Sequence, residues 1–353
     1  MSENQEETRL THEKYIRRCF DLARLGAGYV SPNPMVGAVI VHKGRIIGEG
    51  YHTVYGTAHA EVNAVNNVAE ADRKLLSGAT LYVSLEPCCI FGKTPPCTNL
   101  IIENKISEVV ISCLDATPEV AGNGVQLLRD AGVKVTLGIL EKEGKNLARF
   151  RNTFAGKNRP YIILKYAQSA DGFIGKKDEQ IWLTNAYAKR LVHKYRAETD
   201  AVLVGTKTAS TDNPQLDNRY WTGKSPLRLI LDRRMRLPQT LHIFNDKQPT
   251  LIFTENEIGI DGFERTRFIP LDFSKNIPRQ ICEVLAGGKV ISLLVEGGTQ
   301  TLQSFIDADL WDEARIFTVK KRLGNGISAP KIFGRTVSEE SIASDRLTIL
   351  GNA

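Results

Sequence analysis

Three short stretches of the chain bring together residue types that bind a transition metal. They are His59-Ala60-Glu61, Pro87-Cys88 and Cys97. One His and two Cys leave a fourth position of Zn²⁺ open for water, as catalytic zinc sites do, whereas structural sites are closed by four protein ligands. Zinc lowers the pKa of a bound water to near 7 and so provides hydroxide at neutral pH. The pattern therefore predicts one Zn²⁺ per chain, held by His59, Cys88 and Cys97.

Glu61 has the chemistry of a proton carrier beside that metal. It lies two residues after His59, and side chains at i and i+2 of a helix do not face the same way. This spacing disfavours Glu61 as a second ligand and favours it as the catalytic group that moves a proton from the water to a leaving amine. The order H-x-E, then P-C, then a second Cys is the pattern of zinc deaminases.

The other cysteines are assigned by their positions. Cys89 adjoins Cys88, and we choose Cys88 because the ligand usually follows the proline directly. Cys19, Cys113 and Cys282 stand alone and are expected to pack in the core. Six cysteines in 353 residues do not make a disulfide scaffold.

A second arrangement suited to chemistry lies nearer the end of the chain. A buried strand is predicted at 290–295, followed by Glu296-Gly297-Gly298-Thr299 and a helix from about 300 to 306. Backbone N–H groups at such a helix start can bind an anion such as a pyrophosphate. No G-x-G-x-x-G opens a helix in the sequence, so a Rossmann unit is not expected.

The elements that must position these residues alternate between helix and strand, which predicts layered α/β domains. Helices are predicted at 14–25, from about His59, and at 186–198. Strands are predicted at 36–41, 45–50, 80–85, 108–113, 133–137, 161–165, 201–204, 227–231, 250–253 and 290–295. The polar, basic segment 141–160 is interpreted as a bridging helix plus linker, which places the domains at 1–148 and 149–353.

Composition excludes several classes of protein. The chain is 42% hydrophobic and 24% charged, which is globular, and no run approaches the roughly 20 apolar residues of a membrane span. Its start, MSENQEETRLTHEK, lacks a signal-peptide pattern, so we expect a cytoplasmic protein with no membrane partner. The net charge of +6 suits anionic partners, from a phosphorylated metabolite to nucleic acid.

Longer motifs around these residues resemble the bacterial riboflavin-biosynthesis deaminase–reductase family, over roughly residues 15–313. Eight residues separate Cys88 from Cys97, where nucleoside and tRNA deaminases usually have two. In the first domain the resemblance rests on SPNPMVG (31–37), GEGYH (48–52), GTAHAE (56–61), LEPC (85–88) and GKTPPC (92–97). In the second domain it rests on KYA (165–167), SADG (169–172), WLT (182–184), RAETDA (196–201) and DNP (212–214).

The resemblance implies both fold and activity. It implies a cytidine-deaminase-like three-layer α/β/α domain followed by a dihydrofolate-reductase-like α/β domain. It implies zinc-dependent deamination of 2,5-diamino-6-(5-phosphoribosylamino)pyrimidin-4-one. Reduction of the ribosyl group of 5-amino-6-(5-phosphoribosylamino)uracil to ribityl by NADPH would follow. We accordingly expect small phosphorylated pyrimidines as partners and a homo-oligomer, a dimer or a tetramer.

The resemblance also implies site residues. Substrate contacts of the deaminase are expected at Asn33, His52, Lys93 and Asp115. NADPH contacts are expected at Ala167, Trp182, Thr208, Asp212, Gly298, Thr299, Gln300, Thr301, Leu302, Gln303 and Ser304. Substrate contacts of the reductase are expected at Gln180, Arg196, Leu216, Arg219 and Glu296. Arg196 and Arg219 suit the 5′-phosphate, because guanidinium pairs phosphate oxygens in a bidentate way.

The sequence departs from the family pattern at four positions. Ile90 and Thr117 stand where the family usually has His and Asn. Ile90 cannot hydrogen-bond, so one polar substrate contact is missing or comes from elsewhere. Ala170 stands where Leu is common, and Arg233 stands where a small hydroxyl residue is usual. Arg233 has two interpretations that the sequence leaves open, a contact to a cofactor phosphate or an exposed side chain.

Two other functions compete with the deaminase–reductase. One is a nucleic-acid-editing zinc deaminase whose C-terminal domain only binds RNA. The basic charge permits it, but the long inter-cysteine loop and the lack of interleaved aromatic and basic residues argue against it. The other is a structural zinc module without catalysis, which Glu61 and the three-ligand set oppose.

Overall fold

The structure is a computed structural model of the chain and describes residues 3–92, 94–177, 179–256 and 262–352. The chain divides into two compact units, residues 1–158 and 159–353. The sequence prediction put the boundary at 148/149, and the intervening residues are helical and group with the first unit. Among the described residues, none of the helices has the length and apolar character needed to cross a bilayer.

In its described residues, the first unit has five strands and six α-helices. The strands are β1 (Gly37–His42), β2 (Arg45–Tyr51), β3 (Thr80–Val83), β4 (Glu108–Ile111) and β5 (Lys134–Leu137). The helices are α1 (Glu3–Arg24), α2 (Ala60–Asn66), α3 (Cys97–Glu103), α4 (Asn123–Asp130), α5 (Glu141–Leu147) and α6 (Arg149–Lys157), with a 3₁₀ helix over Glu70–Gly78.

The sheet of the first unit is covered by helices on both faces. Its strand order is β2-β1-β3-β4-β5, with β1 antiparallel to β2 and β3 and the rest parallel. Alternate residues of β1 face opposite sides: Ala38 and Ile40 pack in the cluster with α2, α3 and α4, whereas Val39 and Val41 pack with α1. The expected three-layer α/β/α domain is confirmed.

Residues 141–157 form two packed helices, so the prediction of one bridging helix plus a linker is wrong. Gly144 of α5 lies directly on the sheet, because a Cβ added there would come within 2.3 Å of Ser112 Oγ. Ala148 is buried between the two helices. The polar composition of the segment hid these small buried residues, which are what attach it to the first unit.

The second unit is also α/β. Its strands are β6 (Tyr161–Gln168), β7 (Phe173–Gly175), β8 (Ala201–Gly205), β9 (Leu227–Leu231), β10 (Thr250–Thr254), β11 (Thr266–Pro270), β12 (Ser292–Val295), β13 (Glu313–Thr318), β14 (Ile327–Ser328), β15 (Arg335–Ile342) and β16 (Asp345–Gly351). Its α-helices are α7 (Ala186–Glu198), α8 (Thr206–Asp212), α9 (Ile277–Gly287) and α10 (Thr299–Asp307). A 3₁₀ helix covers His242–Phe244.

In the described residues of this unit, nine strands form one sheet in the order β11-β10-β9-β8-β12-β6-β13-β16-β15. The strands from β11 to β13 are parallel, and the hairpin β15–β16 joins them antiparallel through β13. The carboxyl ends of neighbouring parallel strands lie at one edge, where α/β proteins usually bind ligands. Lys165 of β6 and Glu296, directly after β12, meet at that edge.

Candidate active sites

The three predicted metal ligands of the first unit lie together. His59 is the residue before α2, Cys97 is the first residue of α3, and Cys88 lies in the loop after β3. The Nδ1 atom of His59 is 3.5 Å from Cys88 Sγ and 3.4 Å from Cys97 Sγ. One ligand atom from each residue lies within 4.8 Å of the others.

This donor set fits a tetrahedral zinc ion. Zn–S bonds of about 2.3 Å and Zn–N bonds of about 2.0–2.1 Å at a tetrahedral angle place N and S about 3.6 Å apart. The two N–S distances here, 3.4 and 3.5 Å, agree with that value. Two soft thiolates and one imidazole also match the ligand preference of zinc rather than of Mg²⁺ or Ca²⁺.

Cys88, and not its neighbour Cys89, faces this group. Hydrogen bonds from the Cys97 side chain and from His59 lower the pKa of the Cys88 thiol, which favours the thiolate that a metal needs. The Cys89 thiol instead lies 3.7 Å from the backbone oxygen of Glu119, and burial raises its pKa. The geometry therefore agrees with the choice of Cys88. Of the solitary cysteines, all three are buried as expected, namely Cys19, Cys113 and Cys282.

Glu61 lies in the first turn of α2 and is only 3% exposed. Burial raises the pKa of its carboxyl to about 7, with Cys88 adding to the rise. A dication held by the neighbouring ligands would lower that pKa again, because its charge favours the carboxylate. A buried carboxyl beside a metal site, in a cavity wall, is the arrangement expected of a group that exchanges protons with substrate.

The metal-binding group opens into a cavity of about 270 Å³. Three of the expected substrate-contact residues line it, namely Asn33, His52 and Asp115. His52 Nδ1 lies 3.0 Å from the backbone oxygen of Ala58, which makes it the donor and leaves Nε2 to accept from the Asn33 amide at 3.1 Å. Burial lowers the pKa of His52, in keeping with this neutral ring. The fourth expected contact, Lys93, lies outside the described residues.

Both departures from the family pattern in this domain line the same cavity. Ile90 is 43% exposed and offers no polar atom. Thr117 donates its backbone N–H to Asp115 Oδ1 at 2.7 Å, and its Oγ1 accepts a hydrogen bond from Arg151 Nη2 at 3.0 Å. The side chain at position 117 thus contacts a guanidinium from α6.

Sequence reasoning missed two charged residues among those that line this cavity in the described part of the chain, Glu86 and Arg151. The buried Glu86 carboxylate accepts backbone N–H bonds from Asp115 at 3.2 Å, Gly122 at 3.0 Å and Val125 at 3.1 Å. It therefore holds the loop that carries Asp115 and Thr117. Its position directly before Pro87-Cys88 could have indicated it, whereas nothing in the sequence near Arg151 points to the cavity.

In the second unit, two of the expected substrate residues form a buried ion pair. Arg196 donates from Nε to Glu296 Oε1 at 2.7 Å and from Nη2 to Oε2 at 2.9 Å, and its Nη1 donates to the Asp217 backbone oxygen at 3.2 Å. Lys165 Nζ lies 3.9 Å from Glu296 Oε2. Burial acts to raise the pKa of Glu296, but Arg196 and Lys165 outweigh it and hold that pKa below its usual value.

Arg219 lies against the same cluster. Its side chain pairs with the Asp217 carboxylate, and its backbone N–H donates to His193 Nδ1 at 3.2 Å. Burial lowers the pKa of His193 to about 4, with Arg196 and then Arg219 lowering it further. Both arginines thus lie near His193 and Asp217, and Arg196 is already paired with Glu296. The remaining expected contacts are Leu216, which is buried with a positive φ of 54°, and Gln180, which donates to the Asp212 backbone oxygen at 3.2 Å.

The expected cofactor residues fall into two groups. Thr208 of α8 adjoins the start of α10, because a Cβ added to Gly298 would come within 3.2 Å of Thr208 Oγ1. The glycine therefore leaves backbone N–H groups open at this helix start, which suits a pyrophosphate. Leu302 is fully buried, and its backbone N–H donates to the Gly298 oxygen at 3.1 Å. Three side chains of this group form hydrogen bonds within the protein. Thr299 bonds to Ser328, and Ser304 bonds to Thr301. Gln303 bonds to both Lys331 and Asp307.

Three of the remaining expected cofactor positions lie on the same two helices: Asp212 ends α8, and Gln300 and Thr301 lie in the first turn of α10. Ala167 lies on β6, and Trp182 is 68% exposed. Arg233 forms an exposed bidentate pair with Glu255 at 3.0 and 2.7 Å. The Glu255 carboxylate thus neutralises the charge of this guanidinium.

Fold and site together define the class of the protein: an enzyme in which a zinc-binding deaminase domain is joined to a second α/β domain. Residues 9–113 match the family model of the cytidine and deoxycytidylate deaminase zinc-binding region. Residues 160–348 match the model of the RibD C-terminal domain. The chain belongs to the RibD family of riboflavin biosynthesis proteins.

Relatives match nearly the whole chain. The riboflavin biosynthesis protein RibD of Aquifex aeolicus is 38% identical over 93% of this chain and 92% of its own length. That of Bacillus amyloliquefaciens is 36% identical over 91% and 88%. A crystal structure of a diaminohydroxyphosphoribosylaminopyrimidine deaminase/5-amino-6-(5-phosphoribosylamino)uracil reductase from Thermotoga maritima covers 98% of this chain and 100% of that one, with a TM-score of 0.91 and 36% identity. These matches confirm the deaminase–reductase interpretation over a nucleic-acid-editing enzyme.

Proposed function

We propose that the first unit deaminates 2,5-diamino-6-(5-phosphoribosylamino)pyrimidin-4-one and that the second reduces the ribosyl group of the product with NADPH. The observation that carries the proposal is that one chain contains both kinds of site. The first unit has the His59–Cys88–Cys97 group beside a buried Glu61. The second unit has a cationic cluster at the edge of a parallel sheet. The Thermotoga maritima relative, named for both activities, supports the same pair of substrates.

For deamination, His59, Cys88 and Cys97 would hold one Zn²⁺, which supplies a hydroxide nucleophile at neutral pH. Glu61 takes up the proton that the nucleophile releases and delivers it to the amine that leaves. Asn33 presents its amide to the edge of the pyrimidine, and the neutral His52 ring beside it orients that amide by accepting one of its N–H groups. Asp115 is held in place through the backbone bonds of its loop to Glu86.

For reduction, the start of α10 at Gly298 would receive the pyrophosphate of NADPH, which supplies the hydride. Arg219 and Arg196 attract the 5′-phosphate of the substrate, and Arg196 also fixes the Glu296 carboxylate. Glu296 lies at the end of β12, three residues before the first residue of α10. Substrate and cofactor can therefore meet at this one edge of the sheet.

Removal of the metal tests the division of labour between the units. Treatment of the full chain with a chelator should abolish ammonia release from the diaminopyrimidinone substrate, and added Zn²⁺ should restore it. Reduction of separately supplied 5-amino-6-(5-phosphoribosylamino)uracil should continue throughout, because its residues lie in the other unit. Loss of both reactions on chelation, in protein that remains folded, would contradict the proposal.

A further inference from the structure

The cavity beside the metal-binding residues has a basic side chain that belongs to none of the motifs in the sequence. Arg151 extends from α6 into the cavity wall and is partly buried. Its Nη2 donates to Thr117 Oγ1 at 3.0 Å. In the described part of the chain, this is the one hydrogen bond of its guanidinium, so Nε and Nη1 have no protein acceptor there.

The charges around the cavity make this guanidinium the group that an anionic substrate would meet. Among the described lining residues, Arg151 is the only Lys or Arg. Of the three acidic ones, Glu61 lies beside the metal ligands, Glu86 accepts three backbone N–H groups, and Asp115 accepts from the backbone of Thr117. None of the three forms an ion pair with Arg151 among the described residues, so its charge is not neutralised within the wall.

Thr117 fixes where this charge points. Its backbone is tied to Asp115 and its hydroxyl to Arg151. A guanidinium has two edges that each carry two parallel N–H groups, Nε with Nη2 and Nη1 with Nη2. The Thr117 Oγ1 accepts only one of the two Nη2 hydrogens, so one of these edges keeps both of its donors. A planar fork with two parallel donors matches two oxygens of a phosphate, whereas a single pyrimidine carbonyl would use only one of them.

We propose that Arg151 binds the 5′-phosphate of the pyrimidine substrate during deamination and that Thr117 orients it. This inference rests on the proposed function, since it concerns the substrate of the same reaction. It also accounts for Thr117, which stands where the family usually has Asn. Thr117 orients Arg151, and Arg151 then supplies the polar contact to the substrate from α6.

The test compares the substrate with its dephosphorylated form in the deaminase reaction of the full-length, zinc-loaded enzyme. Arg151→Gln should raise KM for the phosphorylated substrate about 10- to 100-fold, the range of one charge-assisted hydrogen-bonded contact, and should leave kcat close to its original value. KM for the dephosphorylated compound should hardly change. Lys157→Gln removes an equal charge from the exposed end of α6 and should change neither KM.

A second variant separates binding by Arg151 from its positioning. Thr117→Val removes the hydroxyl but keeps the shape and the cation, so KM for the phosphorylated substrate should rise less than in Arg151→Gln. If Arg151→Gln does not fold, as judged by zinc content and thermal unfolding, then Arg151→Lys replaces it. That variant keeps the charge without the fork and should give an intermediate KM.

Two results would overturn the inference. One is an unmodified enzyme that deaminates both compounds with the same KM. The other is a folded Arg151 variant whose two KM values equal those of the unmodified enzyme. An enzyme that deaminates neither compound refutes the proposed function itself, and this outcome is distinct from both.

Discussion

Replacement of Glu61 by Gln isolates proton transfer from every other feature of the deaminase site. Glutamine has the shape of glutamate but cannot take up and return a proton. Glu61 is not one of the three grouped ligand residues, so Glu61→Gln should bind one equivalent of zinc as the unmodified chain does. Because the side chain is only 3% exposed, solvent has little access to take over its role.

The expected loss follows from the role assigned to the carboxyl. General acid–base catalysis by one positioned group contributes about 10²–10⁴-fold to a rate. At about 1.4 kcal/mol for each factor of ten, this is about 3–5 kcal/mol of transition-state stabilisation. We expect kcat for deamination to fall by that factor while KM changes little, since Asn33, His52 and Asp115 still line the cavity.

The assay is ammonia release under saturating substrate, with zinc measured by elemental analysis on the same sample. Reduction of 5-amino-6-(5-phosphoribosylamino)uracil by the same variant, followed as NADPH oxidation, serves as the internal control for folding and concentration. If Glu61→Gln deaminates near the normal rate with full zinc, proton transfer by this residue is refuted. If zinc is lost instead, the separation between ligand and proton carrier is wrong.

Three further perturbations test other parts of the account. Cys88→Ser should lose zinc and Cys89→Ser should keep it, because of these two adjacent thiols the one of Cys88 faces His59 and the one of Cys89 faces the Glu119 oxygen. Equal zinc contents by elemental analysis would contradict the ligand assignment. In steady-state kinetics of the reductase, Arg196→Ala should raise KM for the substrate strongly and KM for NADPH little. Gly298→Val should do the reverse, since it obstructs the helix start, and equal damage to both KM values in either variant would refute this division. Folding also keeps His193 neutral, with a pKa of about 4 against about 6.5 when unfolded. The unfolded state therefore binds more protons between these values, so stability should fall as pH drops from 6.5 to 4, by at most about 3 kcal/mol. In a His193→Gln variant, the free energy of unfolding measured with urea should fall less over that pH range. The same pH dependence as in the unmodified protein would show that the histidine is not buried as a neutral ring.

Helices and strands whose apolar residues repeat at a regular spacing were predictable from the sequence, and those without such a repeat were not. Helix α7 has the predicted bounds, because its apolar positions repeat at helical spacing and Asn185 caps its first turn with bonds to the backbone of Tyr187 and Ala188. Helix α1, in contrast, begins eleven residues before the predicted 14–25, at Glu3. Leu10 is the one apolar residue in that added sequence, and it is exposed, so no hydrophobic pattern marks the segment.

The hairpin of β15 and β16 was missed for a related reason. Most residues of β15 are exposed, so the strand lacks the alternation between buried and exposed positions that identifies a sheet with one covered face. Its pairing is set by β16, which in turn pairs with β13. A strand defined by its neighbours rather than by burial cannot be found from a local pattern.

The site residues also divide into those that a local sequence pattern predicts and those that it does not. The metal ligands and Glu61 stand in short motifs, so residue type and spacing were enough to predict the group that the structure brings together. Arg151 and Thr117 are 34 residues apart, and the Arg196–Glu296 pair spans 100. Such contacts depend on the packing of whole elements, which composition and local periodicity do not encode.

The central claim is that one chain performs a deamination and then a reduction on the same phosphorylated pyrimidine. The most direct measurement incubates the zinc-loaded enzyme with 2,5-diamino-6-(5-phosphoribosylamino)pyrimidin-4-one, without and with NADPH, and identifies the products by mass spectrometry. Without NADPH, the deaminated ribosyl compound should accumulate together with ammonia. With NADPH, that compound should be converted to the ribityl product, with one NADPH oxidised for each molecule formed. Oxidation of NADPH without prior ammonia release, or accumulation of the deaminated compound that NADPH does not consume, would contradict the account.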